Sequence, residues 1–187
     1  MKINFLLLLY LLLLTFFIGC SDINDKVNNN STTSEIENEE EADKFEGSLI
    51  VTNEEELAIA LKENYSITIK NDINSSNELI IEGDFSKTDT TEENKVTHVG
   101  RKLNLFYIDS DNNTINNYTL NVPKLVIKSN DTTIKGGKIK GDIYVEAKGV
   151  ILDDTKLQGN IYFKDEKLKD TFKLENTATV SGNIKVQ

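Results

Sequence analysis

The sequence predicts an all-β domain of stacked coils over residues 47–187, which follows an export segment and a polar linker. Three observations predict this fold class. A phrase of the form Gly-Asp/Asn-Ile occurs three times in the last third of the chain. Short aliphatic runs alternate with Asn, Asp, Ser and Gly through the whole domain, as strands separated by turns do. The segment 54–64 alone carries a helical pattern, so we expect a single helix at the start of the domain.

The composition excludes several classes of function. The chain has 187 residues and a formal net charge of -10, and such an acidic protein is a poor ligand for nucleic acid, so we expect no nucleic-acid partner. It contains one Cys and one His, which excludes an intrachain disulfide framework, a Cys-rich zinc site and a multi-histidine metal centre. We therefore expect neither a metal nor another cofactor.

The segment 1–19 has the features of an export signal. A positive start at Lys2 precedes the apolar run 5–18. In a helix that run spans about 21 Å, less than the roughly 30 Å of a bilayer core. Its length is typical of the apolar region of a signal peptide.

The apolar run ends in Phe17-Ile18-Gly19-Cys20, which resembles the lipobox of bacterial lipoproteins, although Phe17 stands where Leu is commoner. The resemblance implies lipidation of the Cys20 sulfur and cleavage after Gly19, so that acylated Cys20 holds the protein in membrane lipid. Ser21 follows the cysteine, which by analogy is compatible with the outer membrane of the bacterial envelope or the cell surface. The alternative is an ordinary signal peptide or a short anchor that happens to end in Cys.

Residues 20–46 form the lipidated cysteine and an acidic linker. The segment 35–46 is rich in Glu and has almost no apolar side chain to bury, so we expect disorder. It is either a spacer that holds the domain away from the lipid or a solvated linker without a further role.

The first elements of the domain follow from local patterns. A strand at 49–51 leads to Thr52 and Glu55, which we interpret as the N-cap and N3 residues of a capping box. Leu57, Ala60 and Leu61 give the helix 54–64 its apolar stripe. Further strands are predicted at 66–69, 79–81, 103–105, 118–122 and 125–127.

The repeat organises the rest of the domain. Its copies begin at Gly141, Gly159 and Gly182, so the repeat spacing is 18 at first and then 23. We assign the difference of five to a polar loop over 164–170. Stacking the copies predicts two interior columns, the first of Ile143, Ile161 and Ile184, the second of Val145, Phe163 and Val186.

The region from Leu49 to Gln187 resembles the right-handed parallel β-helix superfamily, the pectate-lyase-like solenoids, and residues 132–143 are similar to coil sequences of those proteins. The length of its turn also resembles that of polymer-forming bactofilins. The resemblance implies a single-stranded right-handed parallel β-helix solenoid with an N-terminal capping helix. It implies no particular function, because the fold hosts lyases, hydrolases, adhesins and scaffolds. The rival fold is an antiparallel β-sandwich.

Two acidic segments are candidates for chemistry. Asp153 and Asp154 form a carboxylate pair, with Lys138 and Lys156 as possible neighbours. The resemblance to polysaccharide lyases implies Ca²⁺-binding carboxylates and a basic residue that takes a proton, whereas the alternative is a solvated turn. A second acidic segment begins at Asp109 and opens like a calcium loop. It lacks the required Gly and Glu at its sixth and twelfth positions, so we interpret it as a polar turn.

Tyr144 and Tyr162 are the candidate ligand-binding residues. Each follows an inward isoleucine, so both point outward on adjacent coils about 4.8 Å apart. Such an aromatic pair could stack on sugar rings, or it could simply stabilise neighbouring strands.

Charge is distributed unevenly along the chain. Residues 124–187 hold 12 Lys and 9 acidic residues, whereas residues 21–123 hold 8 basic and 22 acidic residues. The basic end fits contacts with an anionic glycan, and equally fits lysines that protect strand edges from aggregation. No capping helix is predicted after 184–187, so we expect a homo-oligomer through the C-terminal coil.

The sequence thus predicts a non-enzymatic lipoprotein of the bacterial envelope: a surface antigen, an adhesin-like or glycan-binding module, or an envelope structural protein. A polysaccharide lyase or hydrolase and a self-assembling scaffold are the alternatives.

Overall fold

The computed structural model describes residues 47–89, 95–108 and 115–187, and most of them lie in β-strands. The helices of these ranges are α1 (Glu54–Glu63) and α2 (Glu166–Thr171). The strands are β1 (Leu49–Val51), β2 (Ser66–Ile69), β3 (Ile73–Asn74), β4 (Leu79–Ile81), β5 (Phe85–Asp89), β6 (Lys95–Val99), β7 (Lys102–Asn104), β8 (Phe106–Ile108), β9 (Ile115–Asn117), β10 (Thr119–Ile127), β11 (Thr133–Lys135), β12 (Lys138–Val145), β13 (Ile151–Asp153), β14 (Lys156–Gln158), β15 (Ile161–Phe163), β16 (Lys173–Glu175), β17 (Thr179–Val180) and β18 (Ile184–Val186). This confirms the predicted all-β class.

The strands form two parallel sheets and two antiparallel hairpins. The first sheet has the order β1-β2-β7-β11-β13-β16, and all of its pairs are parallel. The second sheet is built on the long strands β10 and β12, each of which pairs with separate short strands along its two halves. Parallel pairing throughout both sheets excludes the antiparallel sandwich as an arrangement of these strands.

The long strands bend at Pro123 and Gly141. The register between β10 and β12 shifts between Asn121 and Lys124, at the proline, which has no N–H to donate. Gly141 has φ +135, and a Cβ atom there would lie 1.6 Å from the carbonyl oxygen of Val122. Only glycine fits this approach of two backbones. The two predicted strands 118–122 and 125–127 are therefore one bent strand.

The three repeat copies pair in register, as predicted. Ile143 pairs with Ile161, which pairs with Ile184, and the column of Val145, Phe163 and Val186 follows two residues later. The first two members of each column are almost fully buried, whereas Ile184 in the last copy is 38% exposed. The interior columns are thus apolar, and their last members are only partly covered by described residues.

Helix α1 is where the sequence predicts it, but its N-cap is Asn53 rather than Thr52. The Asn53 side chain accepts a hydrogen bond from the backbone N–H of Glu56 at 3.0 Å. The Glu56 carboxylate accepts in return from the Thr52 N–H at 2.7 Å. The predicted capping box is therefore shifted by one residue, which keeps the predicted apolar stripe buried in the core.

Helix α2 contradicts the expectation of a single helix and of a simple polar loop over 164–170. Its N-cap Asp165 accepts from the Leu168 N–H at 3.0 Å. Phe172, which follows the helix, packs edge-on against Phe163 with 5.3 Å between ring centroids. A helix of six residues is too short to show an apolar period, so its cap and its tertiary contact decide its formation.

Arg101 is buried beside the C-terminal turn of α1. Its guanidinium donates to the Leu61 carbonyl at 2.6 Å and to the Glu82 carbonyl at 2.8 Å, and it lies 4.6 Å from the centroid of the Phe85 ring. Burial lowers the pKa of Arg101 to about 10, so the group stays cationic at neutral pH. A cation at this end of a helix interacts favourably with the helix dipole.

Candidate functional site

A cleft of about 540 Å³ lies between the hairpin of β8 and β9 and the first halves of the long strands. Aromatic, aliphatic, basic and glycine residues line it together with a single carboxylate. The lining residues are Phe106, Ile115, Asn117, Tyr118, Thr119, Lys135, Gly136, Gly137, Lys138, Asp154, Lys156 and Thr177. The described residues thus combine an apolar wall and a basic wall in one concave site.

The hairpin supplies the apolar wall. Phe106 and Ile115 belong to it, and Ile115 is 61% exposed. The Asn117 side-chain oxygen accepts from the backbone N–H of Gly137 at 3.2 Å, and this bond joins the end of the hairpin to the floor of the cleft. Sequence reasoning missed this wall, because the strand predicted at 103–105 is followed by two short hairpin strands that carry no alternating pattern.

Two glycines that line the cleft stand where two segments of the chain approach each other closely. Gly136 and Gly137 both have positive φ, at +71 and +53. A Cβ atom on Gly137 would lie 2.3 Å from the carbonyl oxygen of Leu105, and one on Gly136 would lie 2.8 Å from the Phe106 ring. This Gly-Gly pair is the one signal in the sequence that could have indicated a close approach of two segments here, and the sequence analysis did not use it.

The basic wall consists of three lysines. Lys135 pairs with Asp153 at 3.1 Å. Lys138 and Lys156 are register partners on β12 and β14, so the two side chains project from neighbouring strands. Neither of these two lysines makes an ion pair with another described residue. The cleft is therefore lined by two lysines from neighbouring strands whose ammonium groups make no ion pair with a described residue.

The two aspartates of the predicted carboxylate pair bind different neighbours. The Asp153 carboxylate accepts from the Asn176 side-chain amide, and this bond, with a smaller contribution from Lys135, lowers the pKa of Asp153. Asp154 lies in the cleft with φ +53, and its Oδ1 accepts from the Thr177 N–H at 3.1 Å and hydroxyl at 2.8 Å. Both carboxylates thus hold the neighbouring turn.

The structure brings Asp154, Lys138 and Lys156 into the same cleft, as the sequence suggested, and leaves Asp153 outside its lining. The two hydrogen bonds from Thr177 explain the position of the Asp154 carboxylate without a ligand. Among the described residues, no group of three or more His, Cys, Asp or Glu side chains is placed to hold a metal ion.

The two tyrosines stack on adjacent strands. Tyr144 and Tyr162 are register partners with 4.8 Å between ring centroids and 30° between ring planes. Lys124 Nζ lies 4.7 Å from the Tyr144 centroid, and Lys185 Nζ lies 5.2 Å from the Tyr162 centroid. The rings thus contact each other and two cations, an arrangement that stabilises neighbouring strands. Sugar binding by this pair stays a prediction.

Cys20 and the acidic segment from Asp109 lie outside the described residues, so lipidation and the polar turn stay predictions. Leu120, at the twelfth position counted from Asp109, is fully buried in the core and is no ligand. Neither helix of the described ranges combines the length and the apolar character that crossing a membrane requires.

Comparisons with protein-family models, with curated proteins and with solved structures found no match to this chain.

Proposed function

We propose that the chain is a lipid-anchored protein of the bacterial envelope whose domain 47–187 is a non-enzymatic binding module. The lysine-lined cleft carries the binding role in this proposal. It is lined by two lysines without an ion pair to any described residue and by apolar side chains that include Ile115, which is 61% exposed. Clefts of several hundred Å³ with apolar walls and a few convergent polar groups are the usual form of a ligand site.

The proposed architecture of the module is a single-stranded right-handed parallel β-helix with α1 as its N-terminal cap. The in-register pairing of the repeat copies that begin at Gly141 and Gly159 supports it. The glycines of the repeat also support it, because the Gly182 N–H donates to the Gly159 carbonyl at 3.0 Å and one backbone therefore lies directly on the other. Such a module is rigid and presents its surface groups at a fixed spacing.

The position of the carboxylates supports a non-enzymatic role. A carboxylate that acts as general base must reach the substrate proton with a free oxygen atom. Asp153 is engaged by Asn176 and Lys135, and Asp154 by Thr177. These bonds give both side chains a structural task.

A polysaccharide lyase or hydrolase is the second candidate function, because Asp154, Lys138 and Lys156 line one cleft. Incubation of the full chain with acidic and neutral polysaccharides, followed by measurement of polymer length, tests it. If the wild-type chain shortens a polysaccharide and the Lys156→Gln variant does not, the domain is an enzyme and the proposed non-enzymatic role is wrong.

The lipid anchor is tested by membrane fractionation of cells that express the wild-type chain or Cys20→Ser. We expect the wild type in the membrane fraction, since two acyl chains hold a protein stably in a bilayer. The variant should leave the membrane fraction, because it lacks the sulfur that would carry the lipid. A soluble wild type would contradict the anchor and leave the cleft unaffected.

The binding role is tested with a glycan array and the full chain in detergent. We expect binding that is lost in the double variant Lys138→Gln/Lys156→Gln and retained in Tyr144→Ala/Tyr162→Ala, because the cleft and not the tyrosine pair offers an unoccupied concave surface. The opposite pattern would move the site to the tyrosines. If the chain binds no glycan on the array, a structural role in the envelope would be favoured over a binding role.

A further inference from the structure

We propose that the cleft binds a small phosphomonoester that carries a ring, such as a sugar phosphate, with the phosphate held between Lys138 and Lys156. The inference rests on the proposed binding role of the cleft and is independent of the lipid anchor. It names the chemical class of ligand through the charge, spacing and walls of the site.

Lys138 and Lys156 provide the charge. They are register partners, so their Cα atoms are separated by about one strand spacing of 4.8 Å. Two ammonium groups brought to a similar distance would repel each other by about 1 kcal/mol in water, and by more where solvent is partly excluded. The described residues supply neither lysine with an ion pair. An anion between the two ammonium groups converts this repulsion into two attractive contacts.

A phosphomonoester fits this pair better than a carboxylate does. The lining holds Lys138 and Lys156 against the carboxylate of Asp154, while the third lysine, Lys135, is neutralised by Asp153, so the site has a net charge of +1. A phosphomonoester carries about -1.5 to -2 at pH 7 and offers three acceptor oxygens, whereas a carboxylate carries -1 and offers two. Each ammonium is a point charge that approaches an anionic oxygen at about 2.8 Å. Lysines on adjacent strands can therefore each bind a different oxygen of one phosphate.

Asp154 is the carboxylate that works against an anion in this cleft. Its Oδ1 accepts two hydrogen bonds from Thr177, so part of its charge is already compensated. Lys135 also lines the cleft and is paired with Asp153, which limits its contribution. The phosphate is thus assigned to Lys138 and Lys156 and not to the third lysine.

The apolar residues of the lining accommodate the ring of the ligand. Phe106 and Tyr118 line the cleft together with the exposed side chain of Ile115. Gly136 and Gly137 also belong to the lining and add no side chain to it. A volume of about 540 Å³ holds a single ring with its phosphate, and it is within the range of small-molecule sites.

The test is calorimetric titration of the full chain in detergent with glucose 6-phosphate, inorganic phosphate, glucuronate and glucose. We expect glucose 6-phosphate to bind more tightly than inorganic phosphate and glucuronate, and glucose not to bind. Because the second pKa of a phosphomonoester is about 6, its affinity should fall between pH 7.5 and 5.5, whereas that of a carboxylate should not.

The variants Lys138→Gln and Lys156→Gln should each weaken glucose 6-phosphate binding about tenfold, the usual effect of one charged hydrogen bond. Lys140→Gln is the matched control, since Lys140 lies on β12 two residues from Lys138 and outside the cleft lining. Circular dichroism verifies that each variant is folded.

Three outcomes would overturn the inference. Equal binding of glucuronate without a fall at low pH would make the cleft a general anion site, and binding of glucose that the lysine variants leave unchanged would make it a neutral-sugar site. Both would leave the binding module standing. Failure to bind any of the four compounds, together with an empty glycan array, would remove the binding module as well.

Discussion

Close backbone contacts determine which residues the repeat tolerates at its glycines. A Cβ atom on Gly159 would lie 1.9 Å from the carbonyl oxygen of Gly141, and one on Gly182 would lie 2.5 Å from that of Gly159. The acids and amides that follow these glycines also stack. The Asp142 carboxylate accepts from both the backbone N–H and the side-chain amide of Asn160. The recurrence of Gly-Asp/Asn therefore has a direct steric and hydrogen-bonding cause.

We predict that Gly159→Ala lowers the free energy of unfolding of the domain by about 1–3 kcal/mol, the usual cost of overpacking. The reason is that the neighbouring backbone must move to make room for the Cβ atom. The control is Gln158→Ala, which removes an exposed side chain from the preceding position. Urea unfolding followed by circular dichroism measures both. Equal midpoints for the two variants would show that the backbone contact does not constrain this position.

The hydrogen bonds of Asp153 lead us to expect that the free energy of unfolding falls at acidic pH. Its hydrogen bond from Asn176, with Lys135 second, lowers its pKa in the folded state. Such a group contributes stability that is fully present above its unfolded pKa of about 4 and is lost as the pH falls through the lower folded value. Wild type should therefore lose stability below pH 4 more steeply than Asp153→Asn.

Urea midpoints measured from pH 6 to pH 2 check this prediction. Asp170→Asn, at an exposed position of α2, serves as the control and should follow the wild type. Parallel curves for wild type and Asp153→Asn would contradict the assigned role of the Asn176 bond.

At the scale of elements, α1 shows that a local sequence pattern predicts the presence of a helix more reliably than it predicts the residue that caps it. The predicted cap pairs Thr52 with Glu55, and the same spacing joins Asn53 to Glu56 one residue later. The structure uses the second pair, and Thr52 donates to Glu56 from both its N–H and its hydroxyl. The N-cap is therefore one residue later than predicted, while the helix begins at Glu54 as expected and its buried stripe is unchanged.

We predict that Asn53→Ala lowers the free energy of unfolding by about 1 kcal/mol, because the Glu56 N–H loses its cap. Glu55→Ala is the control, since Glu55 is the N3 residue of the box that the structure does not use. Thermal unfolding distinguishes them. A larger loss of stability in Glu55→Ala than in Asn53→Ala would contradict the cap at Asn53 and favour the predicted cap at Thr52.

At the scale of the whole molecule, the last repeat is less covered than the others. Leu174 continues the buried column of Leu103, Ile134 and Leu152 but is 43% exposed, and Ile184 is 38% exposed. Exposed aliphatic side chains on free strand edges favour pairing with another chain. The homo-oligomer predicted from the sequence would use these positions.

If the chains associate through this surface, Leu174→Lys combined with Ile184→Lys should shift the full chain in detergent toward the monomer, because two charges would be buried in the interface. Sedimentation velocity measures the shift. Val96→Lys is the control, since Val96 is 66% exposed on the hairpin of β5 and β6. A monomeric wild type would contradict self-association.

Local signals predicted most of the strands but missed both hairpins. The strands at Leu49–Val51, Ser66–Ile69 and Leu79–Ile81 match their predicted bounds, because each is a short aliphatic run between turn residues. The hairpin of β8 and β9 has Asn at two of its positions and one largely exposed isoleucine, so its pattern is that of a loop. Its pairing depends on packing against segments far away in the sequence.

The sequence by itself determined the β class of the domain, the register of its repeats and the outward position of Tyr144 and Tyr162. These follow from a fixed period and from the alternation of side chains along a strand, both of which are local properties of the chain. Only the tertiary structure decided the cleft. Its lining comes from segments that are distant in the sequence, such as those of Phe106 and Lys156. The pairing of Asp153 with Lys135 and Asn176 likewise depends on which strands lie side by side.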